Sequence, residues 1–149
     1  MGRRILWIED DYFHLKSLAR PLVKMGFEIV PAHSVVEARQ SLARWGDYDL
    51  ILLDLILPMT QGEEGLEGDN NVESFDDVEE LMTRNGRELL NYIVSKLKVS
   101  KPILVLSVAA SAKLAEDLVS AGAAQCVVKR GLLPEDLKKI TVKLLCIDS

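Results

Sequence analysis

Residues 49–58, "DLILLDLILP", decide how the chain folds. Seven of the ten are Leu or Ile, and Asp54 interrupts them near the middle. A short apolar run bounded by turn formers reads as a strand buried on both faces, as expected when helices cover both sides of a parallel sheet. An isolated ionised carboxylate inside such a strand is costly or changes its pKa, so Asp54 needs a partner.

Similar runs recur on either side of it. "RILWI" (4–8), "FEIVPA" (27–32), "PILVLS" (102–107) and "QCVVK" (125–129) read as four further strands. Helical spacing fills the gaps between them. Leu15, Leu18, Ala19, Leu22 and Val23 share one face, with Pro21 expected to kink that helix. Ser34 is placed to cap a helix carrying Val35, Ala38, Leu42 and Trp45. "GRELLNYIVSKL" (86–97) turns Leu89, Leu90, Ile93, Val94 and Leu97 inward, and 111–121 forms a helix ended by Gly122. Pro134, followed by Glu135 and Asp136, fits the first turn of a last helix. The alternation predicts an α/β fold of (βα)5 type, a doubly wound parallel five-stranded sheet with right-handed crossovers.

Composition narrows the function. The 149 residues are 48% hydrophobic with a net charge of −5, which predicts a packed core and gives no support to direct nucleic-acid binding. Two cysteines, Cys126 and Cys146, and the lack of a signal-like or membrane-spanning run point to a reduced, cytoplasmic protein with no membrane partner. The charge is uneven: residues 61–84 hold nine of the 23 acidic residues and one of the 18 basic ones. This acidic insertion falls between the third strand and the third helix. Residues 61–71 read as loop, and Ser74 with Asp77 fits the start of a short helix carrying Phe75, Val78, Leu81 and Met82. The acid spacing in "GDNNVES" does not fit a calcium loop.

In an open α/β sheet, ligands bind beyond the carboxyl ends of the strands. Those ends carry Glu9-Asp10-Asp11, Asp54, Ser107 and Lys129. Taken singly, an acid beside the first helix is a cap, Ser107 an ordinary hydroxyl, and Lys129 a snorkelling lysine. Together they form one chemistry. Clustered carboxylates call for a hard cation with oxygen ligands, which suits Mg2+. A carboxylate attacks phosphorus to form an acyl phosphate, and an ammonium and a hydroxyl stabilise the transferred group.

These motifs, in this order, resemble the receiver domain of two-component response regulators, chemotaxis-regulator-like in form. "ILWIEDD" is similar to the acidic first-strand motif, "LLDLILP" to the acceptor motif, "PILVLS" to the switch-hydroxyl strand and "CVVK" to the lysine strand. The resemblance implies strand order 2-1-3-4-5 (flavodoxin-like), with 1–149 a single receiver domain, 61–84 an insert within it, and no output domain. It implies Asp54 as phosphoacceptor, Ser107 and Lys129 on the phosphoryl oxygens, and Mg2+ held by Glu9, Asp10, Asp54 and the Ile56 main-chain carbonyl. It also implies a sensor histidine kinase or phosphotransfer protein as donor and a further protein as target, and it is compatible with a homodimer. Such a chain is a switch that catalyses its own phosphoryl transfer and autodephosphorylation rather than an enzyme.

The sequence departs from the family at defined points. Asn85-Gly86 resembles the pair that opens the third helix, but about 24 residues separate it from Pro58-Met59-Thr60. Arg130 replaces the proline after the lysine, which predicts a trans peptide bond there. Cys126 stands where a switch aromatic is usual, and Val108 is bulkier than the residue common beside the hydroxyl. His14 and His33 match no phosphotransfer site. A phosphorylation-independent interaction module docking through the acidic insert is therefore the alternative. A Mg2+-dependent phosphohydrolase fits less well, since Ile56 stands where its second catalytic carboxylate belongs.

Overall fold

The five expected strands form in the computed structural model, which describes residues 2–61, 75–108 and 111–147. They are β1 (Arg3–Ile8), β2 (Phe27–Ala32), β3 (Leu50–Asp54), β4 (Ile103–Ser107) and β5 (Gln125–Val128). All pair in parallel, in the order β2-β1-β3-β4-β5. β3, drawn from the opening stretch, is buried at every residue and lies in the middle of the sheet.

Two apolar layers flank the sheet. One packs Leu6, Ile8, Ile51, Leu53, Ile103 and Val105 under helices α3 (Val35–Leu42), α4 (Phe75–Asn91) and α5 (Ala112–Ser120). The other packs Ile5, Trp7, Leu50, Leu52, Leu104 and Leu106 under α2 (Arg20–Lys24) and α6 (Pro134–Leu145). This split follows from strand alternation, odd and even positions taking opposite faces.

The helix ends use the expected chemistry. Ser34 is extended and its hydroxyl accepts from the Glu37 N–H at 3.2 Å. Gly122, at φ +117°, closes α5 with bonds from its own N–H to Val119 and from Ala123 N–H to Leu118, a left-handed C-terminal cap. Pro134 opens α6, whose Asp136 carboxylate accepts from Leu133 N–H at 2.9 Å.

Two helical expectations are corrected. The first helical stretch is α1 (Tyr12–Leu15), a 3-10 turn (Lys16–Ala19) and α2 rather than one kinked helix, yet Leu15, Leu18, Ala19 and Leu22 still pack on one layer. Val23, at the edge of that stripe, is 54% exposed while Leu22 is buried. The third helix does not open at Asn85-Gly86. α4 runs through that pair from Phe75 and passes into a π-helical turn at Tyr92–Lys96. The separate short helix expected near Ser74 is therefore the start of α4. The loop expectation over 61–71 falls largely on residues outside those described, as does Ser74 itself.

Gly86 lies inside α4 for a packing reason. A Cβ there would sit 2.3 Å from the Leu55 Cα, and Gly86 N–H donates to the Leu55 carbonyl at 3.2 Å. Next to it the Asn85 amide donates to the Leu57 carbonyl at 2.8 Å. The same loop is held from its other side, where Val35 and Val36 N–H groups donate to the Pro58 and Met59 carbonyls at 2.9 and 3.0 Å. The chain leaving Asp54 is thus fixed between the N-terminus of α3 and the body of α4.

Candidate functional site

The side-chain rows explain which rim residues meet. Glu9 continues the Ile5–Trp7 row, Asp54 the Leu50–Leu52 row, and Lys129 the row of Val127, all on one face of the sheet. Ile8 pairs with Leu53, and Glu9 N–H extends the ladder to the Ala32 carbonyl at 2.8 Å, so Glu9 arrives beside Asp54. Lys129 crosses to both. Its ammonium lies 3.0 Å from a Glu9 carboxylate oxygen and 3.5 Å from Asp54 Oδ1. Ile56 N–H donates to Asp54 Oδ1 at 3.2 Å and fixes the orientation of the carboxylate.

Asp54 is 2% exposed and Glu9 1%, so their charges are poorly screened. Burial, reinforced by the Glu9 carboxylate and a hydrogen bond with it, pushes the Asp54 pKa up to about 8, against the opposing pull of Lys129. Burial alone would lower the Lys129 pKa, but the Asp54 and Glu9 carboxylates outweigh it and raise the value. One ammonium therefore does not neutralise the acids it faces. Carboxylate oxygens of Glu9, Asp10 and Asp54 lie within 4.8 Å of one another, with Asp10 exposed and the other two buried. An all-oxygen donor set with excess negative charge fits a hard divalent cation such as Mg2+.

Glu9, Asp10, Asp54, Ile56 and Lys129 line one open cleft of about 450 Å³. Asp11, Leu15, Val108 and Arg130 complete its wall. Of the residues read from the sequence, Ser107 stands apart from this lining. It is buried at the end of β4, and its carbonyl accepts from Lys129 N–H at 2.6 Å. The plain cap reading of the first acids does not hold. Asp11 occupies the N-cap of α1 but its side chain makes no cap bond, and its carboxylate meets the His14 ring instead. His33 bonds Glu37.

The departures are also placed. Among the described residues there is no cis peptide bond, so Lys129–Arg130 is trans as expected. Leu132 N–H donates to the Lys129 carbonyl at 3.0 Å and Gly131 has φ +79°, the form of a type II turn with Arg130 at its second position. Cys126 is half-buried against the α3–α5 layer, and burial raises its thiol pKa. Arg130 was visible in the sequence only as a missing proline. Its place on the cleft wall depends on the turn, which Gly131 alone hinted at.

No protein-family model and no curated protein matches the sequence. Solved structures do. The chain is similar to a response regulator receiver domain protein (CheY-like) from Methanospirillum hungatei JF-1, at 26% identity and TM-score 0.65, over 97% of this chain and 94% of that one. It is similar to the BeF3-activated N-terminal receiver domain of RstA from Klebsiella pneumoniae, at 21% identity and TM-score 0.69, over 96% and 98%. It is also similar to a chain of the CheX-CheY-BeF3-Mg+2 complex from Borrelia burgdorferi, at 18% identity and TM-score 0.70, over 95% and 87%. No helix among the described residues is long and apolar enough to cross a membrane. Strand order, layer arrangement and these neighbours agree: the chain has the fold of the receiver domains of response regulators, which are signalling switches rather than enzymes in the ordinary sense.

Proposed function

We propose that this chain is a phosphoacceptor switch of two-component signalling, taking a phosphoryl group on Asp54 from a histidine kinase or phosphotransfer protein. The observation that carries the reading is the buried Asp54, oriented by Ile56 N–H and paired with Lys129 at the floor of an open acidic cleft. An Asp54 carboxylate oxygen attacks phosphorus; the bond to the donor's leaving atom breaks, and its electron pair departs with the leaving group. The Lys129 ammonium favours the ionised nucleophile and pairs with the phosphoryl oxygens. Glu9, Asp10, Asp54 and the Ile56 carbonyl would hold Mg2+, which supplies charge neutralisation on the transferred group. Ser107, at the end of the neighbouring strand, is the hydroxyl that responds to the new charge. Output passes through contacts with a protein partner.

Incubation with Mg2+ and acetyl phosphate, followed by intact-mass measurement, tests this. One acid-stable, base-labile phosphoryl adduct is expected, lost with chelator and in Asp54→Asn. No adduct from either acetyl phosphate or a cognate kinase, or an undiminished one on Asp54→Asn, rejects the reading in favour of a phosphorylation-independent docking module.

A further inference from the structure

The cleft around Asp54 is lined by four carboxylates, Glu9, Asp10, Asp11 and Asp54, and by two cations, Lys129 and Arg130. Lys129 is committed to Glu9 and Asp54, at 3.0 and 3.5 Å. Asp11 is engaged with His14. Arg130 forms no ion pair or hydrogen bond among the described residues, though it stands on the wall of an acid-rich cleft and is exposed. Its backbone is not free to wander. The preceding residue is tied to β4 through Lys129 N–H and the Ser107 carbonyl, and the turn is closed by the Leu132–Lys129 bond over Gly131. A side chain with five donors in a planar fork is thus presented on a fixed turn, beside carboxylates that repel an anionic phosphoryl donor.

We infer that Arg130 is a donor-binding residue, which draws the anionic phosphoryl donor into the cleft and pairs with its oxygens while Asp54 and Lys129 act on phosphorus. This rests on the phosphoacceptor reading of Asp54. Guanidinium suits the task because it pairs with phosphate or carboxylate oxygens by two parallel hydrogen bonds, which an ammonium does not. The division of labour follows from position: Lys129, 9% exposed, serves the transferred group at the floor, and Arg130 serves the incoming molecule at the mouth.

The test compares wild type, Arg130→Ala and Arg130→Lys for the rate of Asp54 phosphorylation against acetyl phosphate concentration, at fixed Mg2+ and ionic strength. Arg130→Ala is expected to lower the rate about tenfold at low donor, the loss of one charge-assisted contact, with the rate at saturating donor unchanged. Arg130→Lys recovers part of the loss, and added salt narrows the gap. Equal donor dependence in Arg130→Ala and wild type overturns the inference, as does a loss confined to the saturating rate.

Calorimetric titration with Mg2+ alone provides a readout without phosphorylation. Removing the cation from the wall is expected to tighten Mg2+ binding about threefold by relieving repulsion. Should wild type take no phosphoryl group from any donor, the phosphoacceptor reading fails by itself, and an unchanged Mg2+ affinity in Arg130→Ala then overturns the placement of Arg130 as well.

Discussion

Asp54 is held in a state that its own folding energy resists. Its pKa, pushed up to about 8, exceeds the unfolded value of 3.8, so the folded chain binds a proton that the unfolded chain releases. The stability this group contributes is fully present below about pH 4 and is lost as pH rises through about 8. Asp54→Asn, which keeps the shape without the charge, should therefore raise the unfolding free energy at pH 9 by about 2 kcal/mol, a figure reduced for Lys129 losing one partner. At pH 4 the two proteins should unfold together, with urea titrations as the measurement. Mg2+ should narrow this gap at high pH. Wild type gains about 2.7 kcal/mol when Mg2+ stands at a hundred times its Kd, and Asp54→Asn gains less because one carboxylate ligand is gone. Equal stabilisation of both by Mg2+ would place the ion away from Asp54.

At the scale of single elements, the sequence was most legible where one local rule sufficed. The apolar run through Leu50–Leu53 marked β3, Ser34 marked the start of α3, and Gly122 marked the end of α5. It was least legible where packing overrode local preference. Gly costs a helix interior about 1 kcal/mol relative to Ala, so Asn85-Gly86 reads as a boundary. In α4 that cost is accepted because the helix crosses the Leu55 backbone too closely for a Cβ. Gly86→Ala should therefore lower stability by about 1–3 kcal/mol, the reverse of its helix propensity, seen as a reduced Tm in thermal unfolding. A neutral or stabilising result would mean that α4 stands further from β3 than described. Val23 shows the limit of spacing alone: it follows the buried Leu22 at the edge of the apolar stripe and stands in solvent.

Across the whole molecule, the fold comes from pattern more than from particular residues. Alternating rows on five strands fill two helical layers, and proteins sharing only 18–26% of their residues with this chain reach the same arrangement. The rim residues were legible for the same reason. Strand-end positions are fixed by the rows, and Glu9, Asp54 and Lys129 meet because each follows a row on one face. Arg130 was not legible as part of the cleft, since its position depends on a turn that no periodicity predicts. Fold alone does not assign chemistry, so the account stands on that rim. The most direct test treats the protein with Mg2+ and acetyl phosphate, reduces it with borohydride, and maps the peptides by mass. An acyl phosphate on Asp54 predicts homoserine at position 54 and nowhere else, dependent on Mg2+. Unmodified Asp54, with phosphoryl transfer found at another residue or not at all even with a cognate kinase, would contradict it.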